Sequence, residues 1–131
     1  MRFIPTKVHG ILDYLSVPLL LILPRAMNMS QQTTNLLTIV AVTATLYTLL
    51  TRFEWGLLRV LPTKAHLGLD FLTGALLCAA PFFVLENASQ KEQSTLLVLG
   101  LFEIGVALTT HTRSPLEQTQ SQVVTNQRQA T

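Results

Sequence analysis

Two histidines and two aspartates recur with the same spacing at two places in the chain. Asp13 follows His9 by four residues, and Asp70 follows His66 by four residues. Residues four apart share a face of an α-helix, so each imidazole is expected beside a carboxylate. A carboxylate beside an imidazole fixes its tautomer, which serves both metal ligation and proton transfer. If the two segments meet side by side, all four groups converge.

Three interpretations of these pairs stay open at the level of sequence. The one we favour is structural, because Asp13 and Asp70 lie in apolar segments and each needs a partner there. That partner is the neighbouring histidine or a nearby arginine. The candidate arginines are Arg52, Arg59 and Arg113. The other interpretations are a proton or ion path, and ligation of a metal or haem by His9 and His66.

Glu103 is a further candidate because it lies near the middle of an apolar segment. An ionised side chain at such a depth in a membrane costs about 3 kcal/mol, so we expect this carboxyl to be protonated or paired inside the bundle. As a proton carrier it would act together with Asp13 and Asp70. As a packing residue it would form a hydrogen bond with Thr43 or Thr45 of a neighbouring helix.

Several functional classes are disfavoured by what the sequence lacks. Cys78 is the one cysteine, which leaves no intrachain disulfide and no Cys-x-x-Cys metal knuckle. No His-Glu-x-x-His motif, phosphate-binding Walker loop or nucleophile elbow occurs. We therefore expect no enzymatic activity and no resident cofactor. The net charge of +2 is spread between apolar segments without a continuous basic face, so we expect no nucleic-acid partner.

Four apolar segments must position the candidate residues. Hydrophobic residues make up 49% of the chain and charged residues 12%, about half the charged fraction of a soluble domain. The apolar segments are 8–24, 34–50, 65–85 and 95–110. Each is roughly as long as a helix that crosses about 30 Å of hydrocarbon. The sequence therefore predicts an all-α bundle of four transmembrane helices, with the lipid bilayer as its surroundings.

The first and third segments are two copies of one pattern. RFIPTKVHGILDYLSVPLLLILP begins at Arg2, RVLPTKAHLGLDFLTGALLCAAP begins at Arg59, and the two match at 11 of 23 positions without a gap. The second and fourth segments correspond more loosely, with Thr51 aligned to Thr112. Residues 1–58 and 59–113 are therefore predicted to be two helical hairpins of parallel topology, related by a pseudo-twofold axis along the membrane normal.

Positive charge predicts the orientation of these hairpins in the membrane. Arg25 and Lys91 lie in the two loops on one side, and the other seven Lys and Arg residues lie on the opposite side. Both termini are then cytoplasmic, in a multi-pass protein of the cell membrane. The tail 114–131 is polar and is predicted to be disordered. Four short helices bury little volume, so association into a homo-oligomer is also expected.

The repeated pattern IPTKVHGILDYL and LPTKAHLGLDFL resembles that of the SPW-repeat family of bacterial integral membrane proteins. The resemblance covers residues 2 to about 113 and implies two repeats, each with a pair of membrane helices. The Ser-Pro-Trp motif of the family corresponds here to Leu23-Pro24-Arg25 and Ala80-Pro81-Phe82, where only the prolines remain. The family implies a fold and no activity. The favoured function is therefore a structural or regulatory role through helix association.

Overall fold

The structure, a computed structural model, describes residues 2–129 and confirms an all-α fold for them. Five helices follow one another: α1 (Thr6–Ala26), α2 (Gln31–Leu50), α3 (Thr63–Phe83), α4 (Gln90–Thr109) and α5 (Pro115–Gln129). Helix α1 packs against α2 and α3 against α4, and α2 also contacts α3. The first four helices thus form two hairpins in one bundle. Each of these helices begins two to five residues before the apolar segment predicted for it.

Local sequence explains where the helices begin. Pro5 and Pro62 hold extended backbone immediately before α1 and α3, and the helices start at the next residue. Ser30 caps α2 by accepting a hydrogen bond from the Thr33 amide at 3.3 Å. Ser89 caps α4 in a reciprocal capping box with the residue three positions later. The two serine caps lie at the end of the bundle opposite to the two proline starts.

Two glycines set the closest approach between α3 and α4. A Cβ atom on Gly74 would lie 2.7 Å from the backbone oxygen of Gly100, and a Cβ on Gly100 would lie 2.5 Å from the oxygen of Gly74. Real Cβ atoms do not approach backbone oxygens this closely, so both positions require glycine at this helix separation. Small residues at a helix interface permit such backbone contact.

The segments that enter α1 and α3 each pair with the opposite hairpin. Ile4 forms a parallel bridge with Thr110 at the end of α4, and Leu61 forms one with Thr51 at the end of α2. Ile4 and Leu61 occupy corresponding positions in the aligned segments. Exchanging the hairpins therefore exchanges the two contacts, as a twofold axis along the bundle requires.

The middle of the bundle interior is apolar, and the outer surface is apolar as well. The central buried cluster consists of Leu20, Leu37, Val40, Ala41, Leu77 and Leu96. Large apolar side chains also project outward from all four bundle helices, for example Leu15, Ile22, Ile39, Leu46, Leu72, Val98 and Leu101. Contiguous apolar surface on this scale marks contact with a membrane or a partner. Helices α1 to α4 are each long and apolar enough to cross a membrane.

The polar tail departs from its predicted disorder, because residues 115–129 form helix α5. The start of α5 is capped reciprocally. The Ser114 amide donates to the Glu117 carboxylate and the Glu117 amide donates to the Ser114 hydroxyl, both at 3.3 Å. The Glu117 carboxylate also accepts a hydrogen bond from the Thr63 amide at 2.9 Å, which ties α5 to the start of α3. No residue of α5 is buried. Residues 130–131 lie outside the described part of the chain.

Candidate metal centre

His9, Asp13, His66 and Asp70 converge in the bundle, one to two turns from the starts of α1 and α3. The Nε2 atoms of His9 and His66 lie 3.2 Å apart. One potential ligand atom from each of the four residues lies within 4.8 Å of all the others. His66 and Asp70 are 1% exposed and His9 is 3% exposed. The four groups predicted to converge therefore do so, in a site almost closed to solvent.

The shortest contacts in this cluster cross between the hairpins. His9 Nε2 lies 3.0 Å from an Asp70 oxygen, and His66 Nε2 lies 3.0 Å from an Asp13 oxygen. The contacts within one helix are longer, 3.4 Å for His9 with Asp13 and 3.2 Å for His66 with Asp70. The spacing of four residues predicts that each aspartate lies beside the histidine on its own helix. The structure instead places each carboxylate against both imidazoles, so the cluster links α1 to α3.

Two threonines orient the imidazoles from behind. Thr110 Oγ1 lies 3.0 Å from His9 Nδ1, and Thr51 Oγ1 lies 2.9 Å from His66 Nδ1. Each hydroxyl also donates its single proton to the backbone carbonyl four residues earlier, at 2.7 Å for Thr110 and 2.6 Å for Thr51. A hydroxyl that has donated its proton can only accept, so both Nδ1 atoms carry hydrogen and donate to threonine.

If both imidazoles are neutral, this hydrogen bonding leaves the centre of the cluster without a donor. In a neutral imidazole protonated at Nδ1, Nε2 carries a lone pair. The Nε2 lone pairs of His9 and His66 then face each other and the carboxylates of Asp13 and Asp70. Four acceptors directed at one point in a buried site repel one another unless positive charge lies between them. A divalent cation supplies that charge, as do two protons on the imidazoles.

The imidazole contacts of the cluster are close to the ligand separations around a tetrahedral metal ion. Metal bonds of about 2.0–2.1 Å to nitrogen and oxygen place tetrahedral ligand atoms about 3.3 Å apart. The two Nε2 atoms lie 3.2 Å apart, and their contacts with the Asp70 oxygen and with one or the other oxygen of Asp13 run from 3.0 to 3.4 Å. With one ligand atom taken from each residue, the four atoms lie within 4.8 Å of one another, so the carboxylates would have to draw in around an ion. Two imidazoles and two carboxylates are also a chemically suitable ligand set for a borderline divalent transition metal. The four residues are therefore close enough together to serve as ligands of a single ion.

Two aromatic side chains support the cluster. The Tyr47 hydroxyl donates to the second carboxylate oxygen of Asp70 at 2.8 Å, which fixes the orientation of that carboxylate. The Phe53 ring is 2% exposed and packs 5.8 Å from the His66 ring. Its edge fills the space above Gly10, where a Cβ atom would lie 2.0 Å from the ring. Phe53 thereby separates the cluster from the solvent at this end of the bundle.

The geometry excludes the haem interpretation of His9 and His66. Two axial imidazoles bind haem iron from opposite faces of a macrocycle, so the macrocycle must fit between them. Here the Nε2 atoms are 3.2 Å apart, and both lie against carboxylate oxygens. No space for a porphyrin remains between the rings.

The arginines considered as partners for the aspartates lie elsewhere. Arg52 Nε donates to the Arg59 carbonyl at 2.9 Å, and Arg59 Nε donates to the Gly56 carbonyl at 3.2 Å. Within residues 2–129, neither these arginines nor Arg113 form an ion pair with an aspartate of the cluster. The positive charge that balances the carboxylates therefore has to come from within the cluster.

Glu103 is not one of the converging groups. It is half-buried in α4, and its carboxylate has no hydrogen-bond partner among the described residues. The threonines proposed as partners do not reach it: Thr45 donates to the Ala41 carbonyl of its own helix at 2.8 Å, and Thr43 lines a groove between α2 and α3. The packing alternative for Glu103, a hydrogen bond to Thr43 or Thr45, is therefore not seen within residues 2–129.

Sequence reasoning missed the residues that orient the cluster. The sequence alignment places Thr51 opposite Thr112, but the structural equivalent of Thr51 is Thr110. Each of these two threonines immediately follows the last residue of its helix and contacts an imidazole. Tyr47, one turn before Thr51 on α2, gave no signal beyond its position in an apolar segment. The available clue was a threonine at the same end of both second helices.

Glu92 was also missed, and it forms a second buried polar group at the opposite end of the bundle. Its carboxylate accepts from the Ser30 amide at 2.7 Å and the Thr33 hydroxyl at 2.8 Å. It also accepts from the amide and hydroxyl of Ser89 at 2.9 and 2.7 Å. Each carboxylate oxygen of Glu92 thus accepts two hydrogen bonds, and the side chain links the N-terminal cap of α2 to that of α4.

Comparison with known proteins gives no further guide to this site. No protein-family model, no curated protein and no solved structure matches the chain. The functional argument therefore rests on the geometry of the cluster and on the apolar surface around it.

Proposed function

We propose that the chain is a four-span membrane protein that holds one divalent transition-metal ion between its two hairpins. The ligands are His9, Asp13, His66 and Asp70, two from α1 and two from α3. The observation that carries this proposal is the threonine hydrogen bonding at both Nδ1 atoms, which turns two Nε2 lone pairs toward two carboxylates. Metal-binding imidazoles are commonly oriented by an acceptor behind the other ring nitrogen, usually a carboxylate, a backbone carbonyl or water. Here the threonine hydroxyls take that position.

The ligand set favours Zn²⁺ or a neighbouring divalent ion. Two nitrogens and two oxygens without sulfur suit borderline metals, and the separations of 3.0 to 3.4 Å suit tetrahedral coordination. Four protein ligands fill a tetrahedral shell, so no position is left for water or substrate. Closed sites of this kind are structural. The ion would clamp α1 to α3 and stabilise the association of the hairpins, without enzymatic activity.

The membrane placement is supported by the same features that define the fold. Four helices have sufficient length and apolar character, and large apolar side chains cover their outer faces. The excess of Lys and Arg at the end where α1 and α3 begin supports cytoplasmic termini in a cell membrane. Reporter fusions test this: a fusion after Lys91 should read as extracytoplasmic and one after Arg113 as cytoplasmic. The opposite pattern, or the same reading at both sites, would contradict the orientation.

The two hairpins are proposed to be an internal repeat of the SPW type. The gapless match of 11 in 23 positions supports this, as do the exchanged contacts of Ile4 with Thr110 and Leu61 with Thr51. A repeat explains how duplication of one His-x-x-x-Asp pattern gives a site with two histidines and two aspartates. Each copy supplies half of the ligands.

A proton carrier is the second candidate, and Glu103 is the observation in its favour. Its half-buried carboxylate lacks a hydrogen-bond partner in the described structure, as a group that exchanges protons would. In this alternative, two protons take the place of the metal between Asp13, Asp70 and the imidazoles. Proton flux in liposomes that falls in Glu103→Gln would support it, and an unchanged flux would contradict it.

Titration of the metal-free protein with Zn²⁺ tests the leading proposal. We expect one ion to bind per chain, and Asp70→Asn to weaken binding by at least about tenfold through loss of an anionic ligand. Glu103→Gln is the matched control, because it also removes a carboxyl from a bundle helix but lies outside the cluster. Equal losses in both variants, or no binding to the wild-type protein, would refute the metal site.

A further inference from the structure

We propose a second binding site, for the phosphate headgroup of an anionic membrane lipid, at the end of the bundle where α3 begins. An open pocket of about 570 Å³ lies between the α2–α3 connection, the start of α3 and helix α5. Its lining includes Arg52, Lys64 and Arg113. The inference rests on the proposed membrane placement and does not depend on the metal site.

Each of the three cations has side-chain nitrogens that form no hydrogen bond within the described chain. Arg52 uses only its Nε, toward the Arg59 carbonyl at 2.9 Å, which leaves its terminal nitrogens for a ligand. The side chains of Lys64 and Arg113 form no hydrogen bond or ion pair within the described chain. All three are exposed at the mouth of the same pocket. Guanidinium and ammonium groups that line one pocket are suitable donors for phosphate oxygens.

The one carboxylate in the pocket wall does not neutralise these cations. Glu117 lines the pocket, but one of its oxygens accepts from the Thr63 amide at 2.9 Å and the other from the Ser114 amide at 3.3 Å. Both oxygens thus serve to cap helices. The three cations outnumber this single carboxylate in the described lining, so together they leave positive charge in the pocket.

The position of the pocket identifies the source of the phosphate. Lys64 is the second residue of α3, while Arg52 and Arg113 follow the ends of α2 and α4. If the helices span a bilayer, all three lie at the level of the headgroups. Basic pockets at this level between or beside transmembrane helices bind anionic headgroups. The lipid tails can then lie against the apolar outer faces of the bundle.

Lipid retention by the purified protein tests the proposal. Protein in neutral detergent is exchanged against equal amounts of phosphatidylglycerol and phosphatidylcholine with the same acyl chains, and the bound lipids are counted by native mass spectrometry. The double variant Lys64→Gln/Arg113→Gln removes two of the cations. Arg25→Gln/Lys91→Gln is the matched control, because it removes the same charge from the opposite end of the bundle. Lys64→Arg/Arg113→Lys keeps the charge, and circular dichroism verifies helical content throughout.

We expect the wild-type protein, the control and the charge-keeping variant to retain phosphatidylglycerol over phosphatidylcholine. Loss of two cations should lower this preference by at least about fivefold. A preference that is absent in the wild-type protein, or that falls equally in the control, would overturn the site. Displacement of the lipid by excess inorganic phosphate would also overturn it, in favour of a site for soluble phosphate. A protein that stays soluble without detergent and binds neither lipid would instead refute the membrane placement.

Discussion

The Nε2 atoms of His9 and His66 lie 3.2 Å apart, although 57 residues separate the two histidines in the chain. Their rings meet edge to face, with an interplanar angle of 77°. Both Nδ1 atoms point away from the contact, toward Thr110 and Thr51. Two imidazoles held in this way direct their Nε2 atoms at one point. The carboxylates of Asp13 and Asp70 lie around the same point, 3.0 Å from an Nε2 atom.

The threonines should act through the imidazoles they orient. Thr110→Val keeps the shape of the side chain but removes the acceptor for the His9 Nδ1–H. We expect Zn²⁺ affinity to fall by about 10–100-fold, as is typical when a group that orients a metal ligand is lost. Thr110→Ser should restore most of the affinity, since its hydroxyl can accept the same hydrogen bond.

The matched control for this change is Thr112→Val, two residues further along, which alters a half-buried threonine whose side chain forms no hydrogen bond within residues 2–129. Competition with a zinc-sensitive dye measures all three variants. An affinity that is the same in Thr110→Val and Thr112→Val would mean that threonine does not orient the site.

Asp70 should have separate effects on metal binding and on stability. Asp70→Asn and Asp70→Leu both remove an anionic ligand, so both should lower zinc content. In metal-free protein Asn still accepts from the Tyr47 hydroxyl, whereas Leu leaves that buried hydroxyl without a partner. We expect Leu to cost about 1–3 kcal/mol more than Asn in the free energy of unfolding. Thermal unfolding in the presence of a chelator measures the difference, and equal stabilities would count against the Tyr47 contact.

The contact between α3 and α4 should tolerate no side chain at Gly74. Gly74→Ala places a Cβ 2.7 Å from the Gly100 oxygen, so the helices must separate. Overpacking of this kind costs about 1–3 kcal/mol. Gly68→Ala, on the same helix, is the control: no atom lies within 4 Å of the added Cβ, and alanine favours helix by about 0.5–1 kcal/mol. Unfolding temperatures that fall equally in both variants would show that helix contact is not the cause.

Much of the fold follows from the sequence, because its strongest signals are local. Segment 34–50 carries no charge, and the PTK-x-H pattern marks the start of both α1 and α3. The convergence of His9 with His66 required one further assumption, that the repeated helices meet. Gapless similarity made that assumption reasonable, since matched residues lie at matched depths in a symmetric bundle.

The rest of the site could not be predicted because it depends on contacts between hairpins. Thr110 reaches His9 across 101 residues, and its equivalence to Thr51 is hidden by the weak similarity of the second helices. The tail was predicted to be disordered from its polar composition. It forms a helix where Ser114 and Glu117 cap its start and Glu117 docks on Thr63, and composition does not report such contacts.

X-ray absorption by protein loaded with one equivalent of Zn²⁺ and washed with chelator tests the central claim most directly. The account requires one retained zinc ion per chain, with two imidazole nitrogens and two carboxylate oxygens at about 2.0–2.2 Å. His66→Ala should lose the ion, and Cys78→Ser should leave the spectrum unchanged, because Cys78 lies outside the cluster. Loss of zinc from the wild-type protein, a shell of water oxygens only, or sulfur in the coordination shell would contradict a His₂Asp₂ metal centre.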